Sequence, residues 1–109
     1  MPAPFEDVAA IDRIIHEPVR LAMLTALASC RSADFVFLQH LLGITNGNAS
    51  AHLMKLEEAG LVDVTKTFRG KMPRTVFRLT RLGRTSLQRH WERLDGLRHA
   101  ALTLATNPD

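Results

Sequence analysis

At Gly60 the hydrophobic period of the chain changes, and this change narrows the architectures open to it. Before Gly60 apolar residues recur every three or four positions: Val8, Ile11 and Ile15; Leu21, Leu24, Leu27 and Ala28; Phe35, Leu38, Leu41 and Leu42; then Ala49, Leu53 and Leu56. Each set marks one face of a helix. After Gly60, residues 61–67 and 75–79 alternate and are rich in Val and Thr, as strands are. Past Thr80 the helical spacing returns through Leu87, Trp91, Leu94, Leu97, Ala101 and Leu104. The expected fold is mainly α with a small β-hairpin. At 109 residues the chain is long enough for one domain and too short for two, so residues 1–109 are read as a single unit with its core in 18–79.

Punctuation residues set the expected boundaries. The first helix covers residues 5–16, and Glu17-Pro18 resets the chain, because proline suits the first turn of a helix but not its interior. The second helix ends near Cys30. Ser32 and Asp34 are candidate N-caps for the third, which stops at Gly43. The fourth runs over residues 46–59. Gly70 and Pro73, between the two alternating runs, suggest a hairpin loop longer than two residues over 68–74. The last helix occupies residues 80–105 with Thr80 as its N-cap.

Charge adds the functional signal. The net charge is only +3, from 14 basic and 11 acidic residues, which is weak evidence for a polyanionic partner. Its distribution is more informative. From Val64 to Trp91 there are eight Lys and Arg (Lys66, Arg69, Lys71, Arg74, Arg78, Arg81, Arg84 and Arg89) and no acid. Two short helices joined by a tight turn and followed by a basic hairpin form a helix-turn-helix with a wing. With Ala49, Leu53 and Leu56 inward, the other arc of the fourth helix carries Gly47, Asn48, Ala51, Met54, Lys55 and Glu58, flanked by Ser50 and His52. Asn48, Ser50, His52 and Lys55 can bond to base edges or phosphates, and Gly47 and Ala51 allow close approach to the groove floor. Asn46 can cap the helix or offer its amide to a phosphate. The hairpin would carry Lys66, Arg69, Lys71 and Arg74 to the backbone or minor groove of double-stranded DNA. A polar helix face also occurs on ordinary core helices; its coincidence with the basic hairpin favours nucleic acid. Arg78, Arg81 and Arg84 could equally line the back of the domain.

Other classes find little support. Cys30, the sole cysteine, lies within an apolar helical pattern and reads as a structural thiol. His16, His40, His52, His90 and His99 show no close pair at i, i+3 or i+4, so no metal site or cofactor is expected. Ser50 and His52 lack an acid partner and diverge on a helix, so no enzyme is expected. The start of the chain has no basic and apolar leader pattern, and no long apolar run occurs, which predicts a soluble cytoplasmic protein without a membrane segment.

Residues 46–62 resemble the recognition helix, and its turn into the wing, of small winged-helix regulators in the MarR and ArsR-like grouping. Residues 74–84 are similar to the wing's return strand and the start of the next helix, and residues 18–24 to the opening of the second helix. The resemblance implies a homodimer that binds a pseudo-palindromic operator, usually as a repressor, without enzyme activity. The cysteine-rich motif of metal-sensing members is absent from residues 35–41. Small-molecule effectors are left open.

The last helix is too long for so small a domain to bury alone. Each large apolar side chain gains roughly 1.5–3 kcal/mol on full burial, and an uncovered stripe would be a sticky patch. The expected dimer interface is Leu87, Trp91, Leu94, Leu97 and Leu104, joined by Val8, Ile11 and Ile15, with Trp91 as anchor. A two-fold dimer would set its reading helices about 34 Å apart, on successive major grooves. The alternative is a winged-helix module that binds protein in a transcription assembly, without base readout.

Overall fold

The computed structural model describes residues 12–106. Its elements run α1 (Pro18–Ala28), β1 (Ala33–Asp34), α2 (Phe35–Leu42), α3 (Asn46–Glu58), β2 (Val62–Arg69), β3 (Met72–Leu79) and α4 (Arg81–Thr106). Local chemistry sets most of these limits. Glu17 caps α1 by accepting the Arg20 N–H at 2.8 Å, with Pro18 opening the helix. Asp34 caps α2 through the Phe37 N–H at 2.7 Å, and Gly43 ends it in the left-handed region at φ 64°. Thr45, rather than Asn46, caps α3, accepting from Asn48 N–H at 3.1 Å. Thr80 caps α4 through the Gly83 N–H at 2.9 Å and ties it to the sheet by donating to the Gly60 carbonyl at 2.7 Å.

The hairpin differs from expectation. Arg69 pairs with Met72, so the loop is only Gly70 and Lys71. Gly70 has φ 63° and no non-glycine among the described residues takes positive φ, which makes this a type II′ turn with glycine at its first central position. Pro73 sits inside β3 rather than in the loop. The Arg69–Met72 pair next to a two-residue turn is hydrogen-bonded, so the Phe68–Pro73 pair beyond it is not. The N–H that proline lacks would therefore face the free edge, where it costs no ladder bond. β1 pairs with the other edge of β3 at Ala33–Phe77 and Asp34–Val76, giving the order β1-β3-β2. Two residues have no period, which is why this strand left no sequence signal.

The core gathers Met23, Leu24 and Leu27 of α1, Leu38 of α2, Ala49, Leu53 and Leu56 of α3, and Leu61, Val62, Phe77 and Leu79 around the sheet. On α2 the expected inward residues are only partly right: Leu38 is buried, Phe35 and Leu42 are half-buried, and Leu41 is exposed. With Gln39 and His40 as its only polar residues, α2 is apolar nearly all round, so spacing alone does not choose its face.

The expected first helix needs a correction. Residues 5–11, with Val8 and Ile11, lie outside the described residues; residues 12–16 form a turn rather than helix. Asp12 fixes this turn by accepting the Ile14 and Ile15 N–H groups at 2.8 and 3.4 Å. Ile15 and Leu87, expected at a dimer interface, are instead buried in the domain's own core, because the turn and the first half of α4 pack back onto it. Farther along α4, Trp91 and Leu104 are exposed and Leu94 and Leu97 half-buried. A 26-residue helix is about 39 Å long. The overall extents of 66 × 26 × 21 Å reflect its projection beyond the core.

Candidate nucleic-acid interface

Burial of Ala49, Leu53 and Leu56 turns the rest of α3 outward. Asn46, Gly47, Asn48, Ser50, Ala51, Met54 and Lys55 are all exposed, as a reading surface requires. The approach to α3 is short and held: Gln39 donates from Nε2 to the Ile44 carbonyl at 3.2 Å, between the end of α2 and Thr45. Glu57 and Glu58, also exposed, place negative charge at the far end of the helix. Any phosphate contact is therefore best made by the first three turns.

The hairpin register decides where the wing's cations go. Val62, Val64, Lys66 and Phe68 share one face of the ribbon with Leu79, Phe77, Thr75 and Pro73; Arg69, Arg74 and Arg78 are on the other. The first face packs on α3, and a cleft of about 440 Å³ opens between them. It brings Ser50 of α3 and Lys66 of β2 together. Lys71 occupies the tip of the turn and is exposed, as are Lys66 and Arg69.

Two expected DNA contacts are already engaged within the chain. Arg74 was expected to be uncompensated, but its Nε lies 3.2 Å from Asp34 Oδ2. The Phe37 N–H, against the opposing effect of burial, and then Arg74 hold the Asp34 carboxyl below its usual range. Asp34 is thus both helix cap and counter-ion. His52 is half-buried, with Nδ1 3.1 Å from Arg20 Nη1 and 3.5 Å from Glu17 Oε2. Burial raises the Glu17 carboxyl, but the N–H groups of Arg20 and Val19 and the charges of His52 and Arg20 outweigh it and leave the acid below its ordinary value. His52 therefore ties α3 to the start of α1 instead of facing outward. Glu17 and Arg20 have no counterpart in the expected site. Their partner lies more than thirty residues away, and no local pattern announces it.

Arg74 yields a test with opposed signs. Asp34→Ala is expected to cost about 1 kcal/mol of stability through the lost cap. The same change frees Arg74, so duplex affinity should rise and its salt dependence steepen by about one unit per subunit. Thermal unfolding and anisotropy titrations read the two effects separately; weakened DNA binding by a folded variant would contradict this role for Asp34.

The profile of the winged helix DNA-binding domain matches residues 19–97. The chain belongs to this family. A protein of Methanocaldococcus jannaschii, MJ0432, described only as uncharacterized, is 31% identical over 78 residues, covering 72% of this chain and 85% of that protein. Among solved structures, a transcriptional regulator homologue from Pyrococcus horikoshii OT3 superposes with a TM-score of 0.82 at 32% identity, over 88% of this chain and 97% of its own. A structure from Enterococcus faecalis V583, described as a regulator of the MarR family, aligns with a TM-score of 0.66 over 99% of this chain and 94% of its own; at 21% identity it shows a shared fold. The chain thus carries a winged-helix DNA-binding domain. No helix among its described residues is long and apolar enough to cross a membrane.

Proposed function

We propose that the protein is a homodimeric repressor that reads a pseudo-palindromic operator. In this reading α3 enters the major groove with Asn46, Asn48, Ser50, Ala51 and Lys55 toward the bases and nearby phosphates. Lys66, Arg69 and Lys71 carry the wing's charge to the backbone or minor groove. The observation that carries it is the juxtaposition of the exposed polar turn of α3 with the cationic hairpin, Ser50 and Lys66 lining one cleft. Small residues at 47 and 51 support close groove entry, since even a Cβ at Gly47 would meet nothing within 4 Å. The uncovered side of α4, with Trp91, Leu94, Leu97 and Leu104, supports pairing with a second copy.

Selection of binding sites from random duplexes tests the reading. An inverted repeat with half-sites about one helical turn apart is expected. Asn48→Ala should bind the selected site about tenfold more weakly, consistent with loss of a base-edge contact worth roughly 1–3 kcal/mol, and should recover a degenerate base at one position of each half-site. Recovery of no motif, or an unchanged motif from the variant, would contradict readout by α3.

A further inference from the structure

Four contacts form a path from α4 to α3. His90 of α4 is fully buried, and its Nδ1 has no hydrogen-bond partner among the described residues. Its Nε2 lies 3.3 Å from Nδ1 of His16, in the turn formed by residues 12–17. Two residues earlier in that turn, the Ile14 carbonyl accepts from Arg20 Nε at 2.6 Å. Arg20 Nη1 then meets His52 of α3 at 3.1 Å, and Glu17 Oε2 reaches the same His52 nitrogen at 3.5 Å. Neither the base-reading surface nor the wing explains a buried histidine 74 positions from its partner.

We propose that the His16–His90 contact is a proton-sensitive latch which, through the 12–17 turn, Arg20 and His52, positions the reading helix α3. Arg20 and Glu17 are positioning residues in this scheme, and the inference rests on the reading of α3 as the DNA-contacting helix.

The chemistry of the pair makes it sensitive. At 3.3 Å one neutral imidazole must donate and the other accept, so two imidazolium rings cannot share the contact. A charged His90 would also hold a buried N–H at Nδ1 with no acceptor among the described residues, a costly arrangement. The titratable groups facing His90 are His16 and Asp12 of the turn and Arg93 of its own helix. α1 packs against α4 and carries only Arg20, which is occupied by the Ile14 carbonyl and His52. Burial first, then His16, push the His90 imidazole below its ordinary range; Asp12 opposes them and Arg93 adds to them. The folded state therefore binds fewer protons at this ring than the unfolded chain. Stability contributed here is complete above about pH 6.5 and is lost as pH falls below it.

The test compares anisotropy titrations of the selected duplex at about pH 8 and about pH 5.5, at fixed salt, with the full chain. The protein should bind roughly tenfold more weakly at the lower pH, a typical coupling between two sites. General protonation adds positive charge and predicts the opposite, tighter binding in acid. His90→Leu should bind alike at both pH values. His16→Ala, at an exposed position, gives the same readout without burdening the core. Trp91, the sole tryptophan, has its ring 6.3 Å from that of His90, so its emission should titrate in the parent and not in His90→Leu. His52→Gln should keep the Trp91 titration but lose the pH effect on DNA. Equal or tighter binding at low pH overturns the latch, and a pH effect that survives in His52→Gln overturns its route to α3. No duplex binding even at about pH 8 overturns the DNA reading itself, and the latch with it.

Discussion

Raising monovalent salt from about 50 to about 200 mM is expected to weaken the operator complex by roughly 10³–10⁴-fold. Lys55, Lys66, Arg69 and Lys71 are exposed, and none is engaged in an ion pair among the described residues, whereas Arg74 is held by Asp34. If three or four of these reach phosphates on each subunit, a dimer neutralises about seven, and counterion release gives a log–log slope near −6. Lys71→Ala and Arg69→Ala should each flatten this slope by about two units in the dimer, one per subunit, while weakening all duplexes alike. Anisotropy titrations across a salt series check this. A slope near zero would mean that the wing does not touch the backbone. A change of preferred sequence on removing Lys71 would mean that it reads bases and does not merely anchor.

How much of this was legible depends on the distance over which each feature is determined. The inward stripe Ala49, Leu53 and Leu56, the stops at Gly43 and Gly60 and the cap at Thr80 are local, and each stands where the sequence placed it. The hairpin was legible as a hairpin but not in its register. Pro73 looks like a loop residue until the pairing shows that its missing N–H falls at an unbonded position. Three pairings were beyond any local reading: Asp34 with Arg74, His52 with Glu17 and Arg20, and His16 with His90. They join residues 32 to 74 positions apart through the folded topology. They also change the functional picture, since two side chains expected to meet DNA are instead engaged by partners within the chain. Which cations remain free is a tertiary property, and counting lysines and arginines along a segment overstates them.

Glycine at 83 illustrates the same point and supports the largest stability effect expected in this chain. In a sequence, a glycine in the first turn of a helix is only a weakness, costing about 0.5–1 kcal/mol relative to alanine. In the structure a Cβ at Gly83 would collide with the backbone carbonyl of Leu61 and come within 2.7 Å of Leu79 Cδ1. That carbonyl also accepts the Thr80 N–H at 3.1 Å, so it cannot move away without breaking the junction of sheet and helix. Gly83→Ala is therefore expected to destabilise the protein by about 2–3 kcal/mol, at the upper end for overpacking. For a domain of this size that lowers the melting temperature by roughly 10–20 °C. Gly96 lies in the same helix, and a Cβ there would meet nothing within 4 Å. Gly96→Ala should then recover the intrinsic gain and raise stability by about 0.5–1 kcal/mol. Thermal unfolding of the pair reads one substitution with opposite signs on one helix. If both variants were stabilised, α4 would not sit against Leu61, and its placement relative to the wing would need revision.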